Sequence, residues 1–125
     1  MSALHDARSH LAKADEFILA AESSLDRGLF NAATSDAVIA GINSKDAICL
    51  KLTGATGKSD SHSSAIDELS RTGKLGRDLA PTLSRLLQLK TKSQYQSTAV
   101  AQVDATRAIE WARRLRDAAA DIVHS

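Results

Sequence analysis

The chain has 125 residues, long enough for one domain with a sizeable core and too short for two independent ones, so residues 1–125 are expected to fold as a single unit. Sixteen Lys or Arg stand against fifteen Asp or Glu, a net charge of +1, which argues against a protein held to nucleic acid by bulk charge alone. Hydrophobic residues make up 43% but aromatic ones only 3%, so the core must be built from Ala, Leu, Ile and Val, a palette that suits close helix packing better than sheets.

In chain order, residues 2–27 read as an amphipathic helix. Leu4, Ala7, Leu11, Ala14, Ile18, Ala21 and Leu25 recur at spacings of three and four, Phe17 widens the stripe, and Gly28 stops it. A connection of about two residues makes the next helix an antiparallel neighbour. That second helix, Phe30 to Leu52, organises the rest. Phe30, Ala33, Ala37, Ala40, Gly41, Ser44 and Ile48 form one apolar or small stripe, and Val38, Ile42, Cys49 and Leu52 form another. A helix apolar on two sides belongs inside a bundle. Gly41 in its interior costs roughly 1 kcal/mol unless a neighbouring backbone comes close.

The stretch Thr53 to Ser61 is a loop rich in turn formers, ending at Asp60 or Ser61 as the cap of a short helix, about His62 to Arg71, with Ile66 and Leu69 inward. Thr72, Gly73 and Gly76 are read as breakers. A helix resumes over Leu79 to Leu89 with Pro81 in its first turn, and a polar passage follows from Lys90 to Gln96. The last helix is expected over 98–123, capped by Ser97 or Thr98, with Ala101, Ala105, Ala108, Ala112, Leu115, Ala119 and Ile122 in heptad spacing. Trp111 either fills the hollow left by small residues or marks a dimer face. The expected architecture is all-α: an up-and-down four-helix bundle with one arm split into two shorter helices, five helical segments in all.

Local motifs carry little chemistry. Gly54 to Ser59, GATGKS, ends like a phosphate-binding loop, but Leu52 stands where the motif needs Gly, and a helix precedes it where the motif needs a strand. A helix end and loop explain it better. His62, Asp60 and Asp67 are a thin cluster for a metal, so no metal and no cofactor is expected. Cys49 lies on an apolar stripe, where inert packing suits it better than nucleophilic chemistry, and a lone Cys fits a reducing compartment. His5, His10 and His124 fall on polar faces or termini and are read as solvated. No secretory start and no apolar run of roughly 20 residues occurs, so the expectation is a cytoplasmic protein with no membrane contact.

Charge is uneven along the chain. Residues 1–62 carry six cations and eight anions, residues 63–125 ten and seven, and six of those ten lie in the stretch Arg71, Lys74, Arg77, Arg85, Lys90 and Lys92, against Asp78 alone. With Tyr95 to stack a base, such a stretch can contact RNA phosphates, but a solvated loop and helix face is the simpler explanation.

Three stretches resemble the HEPN (higher eukaryote and prokaryote nucleotide-binding) family of small helical bundles. Residues 14–48, ADEFILAAESSLDRGLFNAATSDAVIAGINSKDAI, are similar to its opening pair of helices; 60–69, DSHSSAIDEL, to its third helix; and 86–97, LLQLKTKSQYQS, to the basic, Tyr-containing segment before its last helix. Many members are metal-independent ribonucleases with an Arg followed, after four to six residues, by His. That pattern is absent here, Arg116 and His124 with seven residues between them being the nearest approach. The resemblance therefore implies partner binding more than catalysis: no catalytic residues, a homodimer, and a nucleotidyltransferase-like partner in a toxin and antitoxin module. Arg71, Lys74, Arg77, Arg85, Lys90, Lys92, Tyr95 and His62 are the candidates for nucleic-acid or partner contact. Two alternatives stay open, a ribonuclease whose active groups have diverged to Arg85, Lys90, Tyr95 and His62, and an RNA-binding adaptor without catalysis.

Overall fold

Five helices follow in chain order: α1 (Ala3–Asp26), α2 (Phe30–Thr53), α3 (His62–Ser70), α4 (Lys74–Tyr95) and α5 (Gln102–Val123). The structure is a computed structural model that describes residues 2–57, 61–95 and 100–125, with the backbone alone at 93–95. Among the described residues there is no strand, and no helix is long and apolar enough to cross a membrane.

The Ser2 hydroxyl caps α1 by accepting the His5 N–H at 3.1 Å, and the expected stripe is buried at Ala7, Leu11, Ala14, Ile18 and Ala21. Gly28 and Gly54 end the first two helices with φ of 74° and 80°, left-handed values that any side chain would strain. The short turn after α1 folds α2 back along it, and this is the most extensive helix pairing in the molecule.

Helix α2 packs on all four other helices. Half of its 24 residues are buried, which is the consequence of carrying apolar residues on two sides. A methyl group on Gly41 would run into Leu86 Cδ2 of α4 and meet Leu115 Cδ1 of α5 at 3.4 Å. The glycine is therefore the point where two partner helices close on the inner one. Of the second stripe, Val38 and Cys49 are buried and Ile42 is half-buried. Leu52 departs from expectation and is 46% exposed, in the last turn of α2.

The third arm differs from the sequence expectation in its boundaries. The chain breaks at Thr72 and Gly73, but Gly76 lies inside α4, buried, where a Cβ would collide with the Leu69 carbonyl and the Thr72 hydroxyl. Its role is close approach to the end of α3. Pro81 consequently sits in the third turn, on the exposed side, and α4 runs through the polar passage to Tyr95. Leu79, Leu83, Leu86 and Leu87 form its buried face as expected.

Ser61 caps α3 by accepting the Ser64 N–H; Asp60, the other candidate cap, lies outside the described residues, as do Ser97 and Thr98 for α5. Helix α5 begins later than expected, after Ala101, and its approach is fixed from α2, where Asn31 Oδ1 accepts the Val100 N–H at 3.0 Å. Trp111 is half-buried against the core, which favours the space-filling role.

Candidate functional site

Helix α2 carries one full charge onto its buried side. Lys45 follows Ser44 and stands one turn before Cys49, and it is only 2% exposed. An ammonium group there costs several kcal/mol unless its three donors are all met. They are met from three segments: Nζ donates to Asp46 Oδ1 at 2.8 Å, to Thr56 Oγ1 at 3.0 Å and to Glu68 Oε2 at 2.6 Å. The Thr56 hydroxyl passes its own hydrogen to Asp46 Oδ1 at 2.6 Å, and the Gly57 N–H donates to Glu68 Oε2 at 2.9 Å. A charge on α2 thus fastens the connection after it and helix α3.

Electrostatics follow from this geometry. Burial opposes the charge on Lys45, but hydrogen bonds to Asp46 and Glu68 outweigh it and hold its pKa above the ordinary value. The hydrogen bond from Lys45 in turn lowers the Glu68 carboxyl, which burial alone would raise. Lys45 and Glu68 therefore both carry their charges at neutral pH. Cys49 is pushed up to about 11 by burial, so its thiol stays protonated and serves as packing.

Beside the network lies a cavity of about 290 Å³. Ile42, Ala65 and Leu87 give it an apolar floor, and His10, Asp46, His62 and Lys90 bring polar groups from α1, α2, α3 and α4. His10, expected to be solvated, is instead half-buried, with Nδ1 2.8 Å from Asn43 Oδ1. The Asn43 amide donates to the Ile39 carbonyl at 3.0 Å, which turns its oxygen toward the imidazole and makes Nδ1 the donor. Asp46 Oδ2 lies 3.9 Å from the same ring nitrogen.

A family model described as the HEPN domain matches residues 7–122. The chain belongs to the HEPN domain family. A search of curated proteins returns no match.

Within this HEPN domain the sequence candidates separate. His62 and Lys90 line the same cavity. Arg71 lies just past α3 in a neighbouring cleft with Cys49 and Glu68. Lys74 pairs with Asp78 at 2.9 Å, four residues along the exposed surface, and Lys92 with Asp104 of α5 at 2.7 Å. Arg77 and Arg85 are exposed. Arg85 stands two residues before Leu87, about 200° around the helix, so it faces away from the cavity that Leu87 lines. Tyr95 closes α4, and its side chain lies outside the described residues, as do Lys58 and Ser59 of the GATGKS loop. Gly57 of that loop serves Glu68 through its N–H. A stretch that is basic along the chain is therefore spread over several faces, and Lys74 and Lys92 are among the charges already engaged.

Sequence reasoning missed Lys45, Asp46, Thr56, Glu68 and the His10–Asn43 pair. One signal was available. A lysine amid Gly41, Ser44, Ile48 and Cys49 breaks the apolar pattern on an inner helix, and such a charge demands buried carboxylate partners.

Proposed function

We propose that this protein is a non-catalytic HEPN domain that acts by binding a partner, as one component of a prokaryotic toxin and antitoxin module, and that it self-associates as a homodimer. A nucleotidyltransferase-like protein is the partner this reading favours. The observation that supports its non-catalytic part is that arginine stands apart from imidazole: the cavity brings His10 and His62 together with Lys90, but among the described residues no arginine lines it. His62 and Lys90 share a cavity, but Arg85 points away from it and Lys45 spends all three donors on Asp46, Thr56 and Glu68. Arg116, the nearest approach to the family's Arg and His pair, is engaged by Asp15 and Asp117, and His124 lies exposed at the end of α5.

The test is incubation of the purified protein with total RNA, which is expected to leave the RNA intact. Cleavage that is lost on Arg85→Ala or His62→Ala overturns the reading in favour of a diverged ribonuclease. Co-expression with the product of the adjacent open reading frame is expected to give a stable complex, and light scattering of the isolated chain to give twice the 13.3 kDa chain mass. The exposed Arg77 and Arg85 support a second reading, an RNA-binding adaptor. It expects salt-sensitive RNA retention that weakens when Lys90 and Lys92 become Ala.

A further inference from the structure

The outer groove between α4 and α5 carries cations that the fold does not use. Its two walls run antiparallel, since Lys92 near the end of α4 pairs with Asp104 near the start of α5 at 2.7 Å, while Leu86 and Leu115, further from that end on both helices, meet at Gly41. The ion pair fixes which sides face each other. Seven residues make about two helical turns, so Arg85, seven before Lys92, and Trp111, seven after Asp104, stand on the same two facing sides. Arg107 and Arg114, four before and three after Trp111, flank it on the surface of α5. All three arginines are exposed, and none enters an ion pair among the described residues. Trp111 is half-buried, with its inner part packed on the core.

The pattern of charge decides what fits there. Glu110 stands between the two α5 arginines, and Asp121 follows Arg114 by seven residues, both exposed. A nucleic-acid backbone brings negative charge only and would meet Glu110 and Asp121 unfavourably, whereas a protein helix can set carboxylates against the arginines and a cation against Glu110. Arg107 and Arg114 are about 10.5 Å apart along the helix axis, the spacing of residues one heptad apart on a second helix. We propose that the groove between α4 and α5 docks an amphipathic helix of a partner protein that carries acidic residues one heptad apart, set against Arg107 and Arg114, with Arg85 on the opposite wall and the open edge of Trp111 against its apolar side. The proposal rests on the partner-binding reading and deepens it by naming the surface and the chemistry of the partner.

Trp111 is the chain's one tryptophan, so its fluorescence reports on this groove alone. The full chain is titrated at low salt with three stapled, tryptophan-free peptide helices that share an apolar side and carry Glu, Gln or Lys at two positions one heptad apart. The Glu peptide is expected to change the emission saturably, with the Gln peptide about tenfold weaker, the worth of two exposed charge pairs, and the Lys peptide weaker still. Arg107→Gln with Arg114→Gln is expected to remove that preference while the circular dichroism stays helical; if this variant does not fold, the peptide ranking on the wild-type chain decides. No saturable change, no preference for Glu or a preference for Lys overturns the proposal. So does tighter binding of a uridine oligonucleotide, which would make the groove an RNA face, or loss of self-association in the glutamine variant, which would make the occupant a second copy. In co-expression with the product of the adjacent open reading frame, Arg107→Glu with Arg114→Glu is expected to weaken the complex at least tenfold. A complex indifferent to that reversal overturns this surface and leaves the partner-binding reading standing, whereas no complex with the wild-type chain overturns both.

Discussion

Thr34 is fully buried in α2, and its hydroxyl has no hydrogen-bond partner among the described residues. A hydroxyl left unsatisfied in the core forfeits its hydration for nothing, and replacing it by a methyl of the same shape removes that cost. Thr34→Val is expected to raise stability by about 1 kcal/mol, read as a higher midpoint in urea. Glu68 presents the opposite case. Glu68→Gln leaves Lys45 with a neutral acceptor and is expected to cost about 1–3 kcal/mol at pH 7. The pH dependence has a definite sign. The folded pKa of Glu68 lies below its usual value of 4.5, so its contribution is present above that pH and is lost as pH falls through the folded value. The urea midpoints of wild type and Glu68→Gln should therefore differ at pH 7 and converge as pH falls from 4.5 through the lowered folded value. A difference that does not narrow at all on acidification below 4.5 would remove Glu68 from the network.

At the scale of helices, Gly41 is where α4 and α5 meet α2. Gly41→Ala forces the new methyl against Leu86 and is expected to cost about 1–3 kcal/mol. Leu86→Ala alone opens a cavity and is expected to cost about 2–5 kcal/mol. Because each substitution relieves the other's defect, the double variant should be more stable than the sum of the single losses predicts. Additive losses in a double-mutant cycle would show that Leu86 moves aside freely. The same helix shows what a sequence discloses. The two stripes of α2 and the heptad of α5 were legible because burial repeats with the helical period, and the small residues announced close packing. The bounds of α4 were not, since Gly76 is a packing residue and Pro81 is tolerated on an exposed side, and neither fact is local. The site was hidden for a stronger reason. Lys45 finds its partners 11 and 23 residues away, and only the assembled bundle brings them within hydrogen-bond reach.

The molecule as a whole is unevenly tied together. Helices α1, α2 and α5 bury their alanine-rich faces on one another, and Arg113 with Glu22 and Arg116 with Asp15 add exposed links between α5 and α1, of a kind that contributes little. Helix α3 is different. It packs chiefly on α4, touches α2 only slightly, and buries Leu69 alone of its nine residues. What joins it to the inner helix is largely the Lys45 to Glu68 ion pair, with Gly57 held to the same carboxylate. A segment with so little buried apolar surface opens before the rest, at a free energy set by its few specific ties. Native-state hydrogen exchange is expected to show α3 opening well below the global unfolding free energy, with α2 exchanging only through global unfolding. Glu68→Gln should then speed exchange in α3 and around Thr56 and Gly57 more than its effect on global stability accounts for. If α3 is protected to the level of α2, or if Glu68→Gln speeds all helices alike, the ion pair is part of the common core and not the tie that holds a separable arm.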